Sequence, residues 1–175
     1  MIRRIAFASL LPSRWKNGAG SKRDIAQHDL ADGAMAWMFG LADIETDAPF
    51  SHFDGARRWF SVVSDGQVAL DIDTAPGRRD TVLLDRHSPP FAFAGDLPTG
   101  CRLLSDPVRV FNVMTAGPPR AVTVTRLAPT GPLQLPVADG QVVLVLVTGG
   151  TARARAAGAV LELALLDSLL AQGNE

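Results

Sequence analysis

The sequence predicts an all-β fold, built from many short strands in a sandwich or barrel arrangement. Apolar residues recur with a period of two along most of the chain, as strands with one packed face require. Sixteen Gly and twelve Pro punctuate the 175 residues at short intervals. A hydrophobic share of 47% with 20% charged residues supports a packed core without staples, and a single Cys excludes a disulfide framework.

The first candidate strand covers Ile2 to Ala8, where Ile2, Arg4, Ala6 and Ala8 alternate with Arg3, Ile5 and Phe7. Arg3-Arg4 before Ile5 to Leu11 imitates an export signal, but the apolar run is short. It ends in Pro12-Ser13-Arg14-Trp15-Lys16 instead of a small-residue cleavage site. No stretch reaches the eighteen or so apolar residues of a membrane helix. A cytoplasmic location is therefore expected. Met35 to Leu41 alternates large and small side chains. Trp59 to Val63 runs through Ser64-Asp65-Gly66 into Gln67 to Asp73, and Asp-Gly between two such runs predicts a hairpin. Ala75-Pro76-Gly77 turns the chain into Thr81 to Leu84; Phe91 to Phe93 and Val108 to Met114 follow as strands.

A second set begins beyond Pro118-Pro119. Ala121 to Thr125, Gln141 to Thr148 and Thr151 to Ala156 all read as strands. Val160 to Ala171 is ambiguous. Propensity and the spacing of Leu163, Leu166, Leu169 and Leu170 favour a helix, whereas the surrounding pattern favours two strands broken at Asp167-Ser168. The β context is followed here. The expected organisation is an N-terminal half, residues 1–118, and a C-terminal half, residues 119–175, packed as one compact unit.

Seventeen Lys+Arg against eighteen Asp+Glu leave a formal charge of −1. That balance excludes a broad electrostatic grip on nucleic acid or anionic lipid, so neither nucleic acid nor membrane is expected as a partner. His28, His52 and His87 are far apart, and no His-x-His pair with a nearby carboxylate is present, so no metal and no cofactor are expected. No Gly-x-Ser-x-Gly elbow occurs, and Cys101 reads as a small buried thiol.

Two segments stand out. Asn17-Gly18-Ala19-Gly20-Ser21 lacks the Lys-Ser/Thr ending and following helix of a phosphate loop, so it reads as a tight turn with bare backbone, flanked by Trp15 and Arg23. Pro49 to Arg58 ends in Arg57-Arg58 and enters apolar Trp59-Phe60, which starts a buried strand with at least one guanidinium. Such a group either finds an anionic partner, an internal Asp or a ligand carboxylate, or snorkels to water at the rim.

These segments, in this order, resemble the HutD/Ves family of small bicupin proteins. The resemblance runs through Trp15 to Ile25, then Trp37 with Ala42 and Ile44, then Pro49-Phe50-Ser51 with Phe53, Gly55 and Arg58. It continues through Phe91, Phe93, Gly95-Asp96, Cys101 and Phe111 to Met114. Ala19 stands where the family usually has a third Gly, and Val110 where an acid commonly precedes the Phe-Asn pair. The resemblance implies an all-β, cupin-like double sandwich with little helix and no cupin metal. It also implies a binding protein for a small carboxylate, formylglutamate-like or urocanate-like, that modulates histidine or amino-acid catabolism; a homodimer is compatible with it. The ligand-binding candidates are Trp15, Asn17, Gly18, Arg23, Trp37, Ser51, Arg58 and Asn112, with Arg58 receiving the carboxylate. The alternatives are a metal-independent isomerase or hydrolase using Asp24, His52 or Asp96 as acid or base, and a protein-interaction module.

Overall fold

The computed structural model describes residues 1–118, 121–156 and 158–174. Its elements are β1 (Ile2–Ile5), a single 3-10 turn at Phe7–Ser9, β2 (Ser13–Arg14), β3 (Gly20–Asp29), β4 (Met35–Ile44), β5 (Ala48–Pro49), β6 (Arg57–Val62), β7 (Gln67–Ala75) and β8 (Arg78–Asp85). They continue with β9 (Phe91–Ala94), β10 (Thr99–Leu103), β11 (Val108–Thr115), β12 (Val142–Leu146), β13 (Ala152–Ala156), β14 (Ala159–Leu163) and β15 (Ser168–Gln172). The fold is all-β, as the period-two pattern predicts, and every ladder is antiparallel. Among the described residues no helix is long and apolar enough to cross a membrane.

The chain divides into two compact units, Pro12–Arg126 and Met1–Leu11 with Leu127–Glu175. The break therefore falls at 126/127, not at 118/119, and the first eleven residues belong with the C-terminal segment because β1 pairs with β15. Pro119, read as part of the break, lies outside the described residues.

The unit spanning residues 12–126 has a six-stranded sheet, β2-β3-β4-β11-β6-β9, and a four-stranded sheet, β5-β10-β7-β8. Ile44, Phe60, Val62, Phe93, Val108 and Val110 from the first pack against Val68, Leu70, Ile72, Leu84 and Cys101 from the second. This two-sheet core makes the unit a β-sandwich. The Asp65-Gly66 turn is present, with Gly66 at φ +107°, yet it does not close a hairpin. β6 pairs with β11 and β9, and β7 pairs with β10 and β8. The reason is burial. Phe60 and Val62 face Val68 and Leu70 across the core, so the turn must carry the chain from one sheet to the other, about 10 Å away. The hairpin of this region is β7–β8, closed at Pro76-Gly77 with Gly77 at φ +74°.

The other unit holds a three-stranded sheet, β1-β15-β12, and the β13-β14 hairpin. Residues 160–171 form the end of one strand and most of another, as the β context indicates. The opening strand stops at Ile5, where the 3-10 turn begins. Ala121 to Thr125 forms no ladder, although Val122 and Val124 are half-buried and their neighbours exposed.

Candidate functional site

Register decides which candidates can meet. On β6, Arg58, Phe60 and Val62 are buried on one face. Phe60 is the partner of Asn112, and Asn112 is the partner of Gly40, which in turn faces Asp24 on β3. Arg58 is the partner of Met114 and Phe93. Because side chains alternate along a strand, Arg58, Asn112, Gly40 and Asp24 share the inner face of the six-stranded sheet.

Arg58 is 7% exposed. Its guanidinium carbon lies 4.7 Å from the Phe50 ring centroid, 5.2 Å from that of Phe93 and 5.8 Å from that of Phe53. Such rings offer their negative faces to a cation. Nη2 donates to Asn112 Oδ1 at 3.5 Å, a long contact, and Nε is buried with no acceptor. Among the described residues no carboxylate lies within 4.0 Å of Arg58. Burial pushes its pKa down to about 10, which still leaves it charged at neutral pH. The segment that carries Phe50 and Phe53 is fixed by main-chain bonds from Phe50 N–H to the Thr99 carbonyl and from Phe53 N–H to the Gly95 carbonyl. Gly95 suits this close approach, since a Cβ would lie a tight 3.1 Å from the Phe53 and Ala56 carbonyls.

Trp37 does not join this group. It is the partner of Thr115, which pairs with Arg57, so it occupies the opposite face of the sheet and stacks between His28 and Phe39. Arg23, the partner of Leu41, is also on that face. There it donates to Asp43 at 2.8 Å, beside Arg109, which donates to the same carboxylate at 2.6 and 3.1 Å. Burial alone would raise the Asp43 pKa; the two guanidinium groups outweigh it and hold the carboxyl below its usual value. Arg23 is thus part of an internal ion-pair network and not a second receiver beside Arg58.

Asn17 and Gly18 build a turn. Asn17 Oδ1 accepts from Ala19 N–H at 3.1 Å, Gly18 has φ +74°, and its N–H donates to the Trp15 carbonyl. Ala19 has ordinary φ, so the missing family Gly costs nothing there. A side chain at Gly20 would run into the Asp43 carbonyl, which makes this glycine the one that close strand approach demands. Trp15 is half-buried against the core, and Ser51 is exposed. His52 meets Asp54 at 2.8 Å in an exposed loop, and Asp96 is exposed in a turn. Cys101 is buried, and burial with the nearby Asp47 and Asp71 charges pushes its thiol up to about 12.

A separate open cleft of about 380 Å³ lies over the outer face of the four-stranded sheet, lined by Phe50, His52, Asp71, Asp73, Arg79 and Thr99 among others. Its acids are already engaged. Asp71 accepts from Arg102 and Thr81, and the Arg102 bond leads in lowering its pKa to about 2. Asp73 accepts from Arg79. Phe50 borders both places: its ring edges the cleft and carries Arg58.

Sequence reading missed Phe50, Phe53 and Phe93 as the walls of the Arg58 site. The available signal was Phe93 in a period-two strand and two Phe flanking a turn that ends at Arg58.

The comparisons agree with this architecture. The HutD family model matches residues 8–175. A Pseudomonas putida protein described as an uncharacterized 21.2 kDa protein in the hutC 3' region is 35% identical over 104 residues, 58% of this chain and 52% of that protein. Protein Ves of Citrobacter koseri is 37% identical over 82 residues, 47% of this chain and 40% of its own length. The aligned region thus spans about half the length of these curated relatives. A conserved protein of unknown function from Pseudomonas aeruginosa PAO1 superposes with a TM-score of 0.81 at 30% identity, covering 100% of this chain and 87% of that one. HutD from Pseudomonas fluorescens SBW25 has the same fold, with a TM-score of 0.70 at 24% identity over 99% of this chain and 89% of its own. With a family model spanning nearly the whole sequence, the chain belongs to the HutD family.

Proposed function

We propose that this protein binds a small carboxylate metabolite on Arg58 and, through that binding, modulates amino-acid catabolism in the cytoplasm. The observation that carries the reading is a buried guanidinium with an unsatisfied Nε, three phenyl rings around it and, among the described residues, no carboxylate within 4.0 Å. A buried cation left in this state is costly. A ligand carboxylate, accepting from the planar fork, would remove that cost and form a charge-assisted pair. Asn112 stands beside the same atoms and adds an amide to the contact.

A pure binding role fits the surroundings better than catalysis. His52 and Asp96 sit in exposed loops, and the Cys101 thiol is held protonated. Calorimetric titration with N-formylglutamate, urocanate and histidine tests the reading. The wild-type protein is expected to bind a carboxylate of this class at least ten times more tightly than Arg58→Ala, since losing one partner of a desolvated pair costs about 2–5 kcal/mol. Equal affinities in the two proteins would remove Arg58 from the site.

A further inference from the structure

Arginines elsewhere in this protein show which edge of the guanidinium takes a carboxylate. Arg4 donates from Nε and Nη2 to Asp167 at 3.0 and 2.6 Å, and Arg79 does the same to Asp73 at 2.6 and 3.0 Å. Arg102 uses that edge on Asp71 at 2.6 and 3.3 Å, and Arg109 on Asp43 at 2.6 and 3.1 Å. The two N–H groups point the same way in the plane of the fork, so one carboxylate accepts from both. On Arg58 the same edge is open. Its Nε has no acceptor, and its Nη2 reaches only Asn112 Oδ1, at 3.5 Å. The paired arginines keep between 28% and 63% of their side chains exposed, whereas Arg58 is buried. Of these guanidinium groups, the one most shielded from water has the weakest partner.

The residue type at position 112 is the cause. Asn112 is the partner of Phe60, two residues along β6 from Arg58, so both side chains lie on one face. An Asp there would bring a carboxylate to the same edge and close it, as Asp43 closes that of Arg109. The neutral amide presents a single oxygen, and its Nδ2 donates to no described residue. Asn112 is only half-buried, so the contact is not sealed from water. Turning this amide over gives up the long 3.5 Å bond and nothing else, and it points Nδ2 at whatever Arg58 holds.

We propose that Asn112 determines the specificity of the Arg58 site: it keeps the Nε/Nη2 edge clear of an internal acid, and on binding its amide turns to donate from Nδ2 to the carboxylate seated there. This rests on the carboxylate-binding reading given above. The bound carboxylate then accepts from Nε and Nη2 of Arg58 and from Nδ2 of Asn112. A carboxamide of the same shape sets its own N–H against one of these donors, so the class selected is the ionised carboxylate.

Calorimetry with N-formylglutamate and urea unfolding without ligand, on the wild type, Asn112→Asp, Asn112→Ala and Arg58→Ala, test it. Asn112→Asp is expected to bind about ten times more weakly than the wild type or worse, because its own acid occupies the edge. Its urea midpoint is expected to rise, since Arg58 is then paired. Asn112→Ala is expected to lose roughly three- to tenfold in affinity, for the one missing donor, with no rise in midpoint. In 15N-labelled wild-type protein the Asn112 side-chain N–H pair, identified by its absence from the Asn112→Asp spectrum, is expected to shift when N-formylglutamate is added. Wild-type affinity in Asn112→Asp, with binding lost in Arg58→Ala, would overturn the role of Asn112 and leave that of Arg58. A lowered midpoint in Asn112→Asp would overturn the internal pairing, and an unmoved amide signal the turning. If Asn112→Asp does not fold, Asn112→Ala decides: wild-type affinity overturns the proposal, and the expected loss supports it. Failure of the wild-type protein to bind N-formylglutamate would overturn both readings together.

Discussion

The Arg58 guanidinium rests 4.7 Å from the centroid of the Phe50 ring, on the inner side of the sandwich, and no carboxylate of the described residues pairs with it. A structural arginine would be matched to a carboxylate, as Arg109 is to Asp43. Replacing a buried ion pair with apolar side chains of similar volume is often neutral or stabilising by about 1–4 kcal/mol, and a buried ion without a partner carries its desolvation cost uncompensated. The ring contacts of Arg58 offset part of that cost, at roughly 0.5–2 kcal/mol each. Arg58→Met is therefore expected to raise stability by about 1 kcal/mol, at the low end of that range, while losing carboxylate binding. Urea unfolding and calorimetry on the same samples check it; a variant that is both weaker-binding and less stable would make Arg58 a structural group.

Trp37 and Arg23 are expected to be silent in binding, because the pleat puts them on the face opposite Arg58. Trp37→Phe keeps an aromatic ring against His28 and Phe39 and should leave carboxylate affinity within about twofold. Arg23→Gln should behave likewise, since Asp43 keeps its bonds from Arg109. A tenfold loss of affinity in either variant would contradict the face assignment.

The contrast between Arg58 and Trp37 shows where the sequence is readable. Arg58 precedes an apolar strand start, so its burial followed from its neighbours. Trp37 lies on β4, where Ala36, Trp37, Gly40, Leu41, Ala42 and Ile44 are all buried. With both faces apolar, alternation cannot say which one looks toward Arg58; only the pairing with β11 does. β3 was hidden for a different reason. Its sequence Gly20-Ser21-Lys22-Arg23-Asp24-Ile25-Ala26-Gln27-His28-Asp29 is mostly polar, and a register shift between Asp24 and Ala26 interrupts its alternation. Turn chemistry was legible at Asp65-Gly66, but the partners of the flanking strands depend on the distant β10 and β11.

Two glycines separate the two costs of a side chain at positive φ. Gly66 has φ +107°, and a Cβ there would lie 2.7 Å from Ser105 Oγ and 2.8 Å from Val108 Cγ1. Gly77 has φ +74° with nothing within 4 Å. Gly77→Ala is expected to cost about 1–2 kcal/mol from the backbone alone. Gly66→Ala should cost a further ~1–3 kcal/mol for overpacking at Val108. Thermal unfolding of both variants measures the difference, and equal losses would mean that the Gly66 turn yields freely.

Cys101 is 1% exposed, and its thiol is held protonated well above neutral pH by burial. Only the thiolate is a good nucleophile. The folded protein is expected to resist alkylation by iodoacetamide at pH 8 and to be labelled fully once unfolded in urea, with mass spectrometry counting the adduct. Rapid labelling of the native protein would show that the core opens at β10.

Asp167 ties the stability of its unit to acid. It is 3% exposed; Oδ2 accepts from Arg4 Nε at 3.0 Å, Arg4 Nη2 at 2.6 Å and Ala164 N–H at 3.0 Å, and Oδ1 accepts from Phe7 N–H at 2.9 Å. Burial alone would raise its pKa, but these donors outweigh burial and hold the carboxyl below the ordinary value of 3.8. The folded pKa is thus depressed, and the unfolded chain binds the proton more readily. The stabilisation from the ionised group is complete above the unfolded pKa and disappears as pH falls through the folded one. Asp167→Asn keeps the shape but loses the charge and turns one oxygen into a donor facing N–H groups, at a cost of about 2 kcal/mol or more at pH 7. As pH falls through the lowered folded pKa, the wild-type carboxyl itself becomes neutral and that gap should narrow. Urea unfolding of both proteins in a pH series from neutral into acid measures it. A gap that stays constant across the series would show that the Asp167 charge contributes nothing, and that the joint between β1 and the β15 turn is held by shape alone.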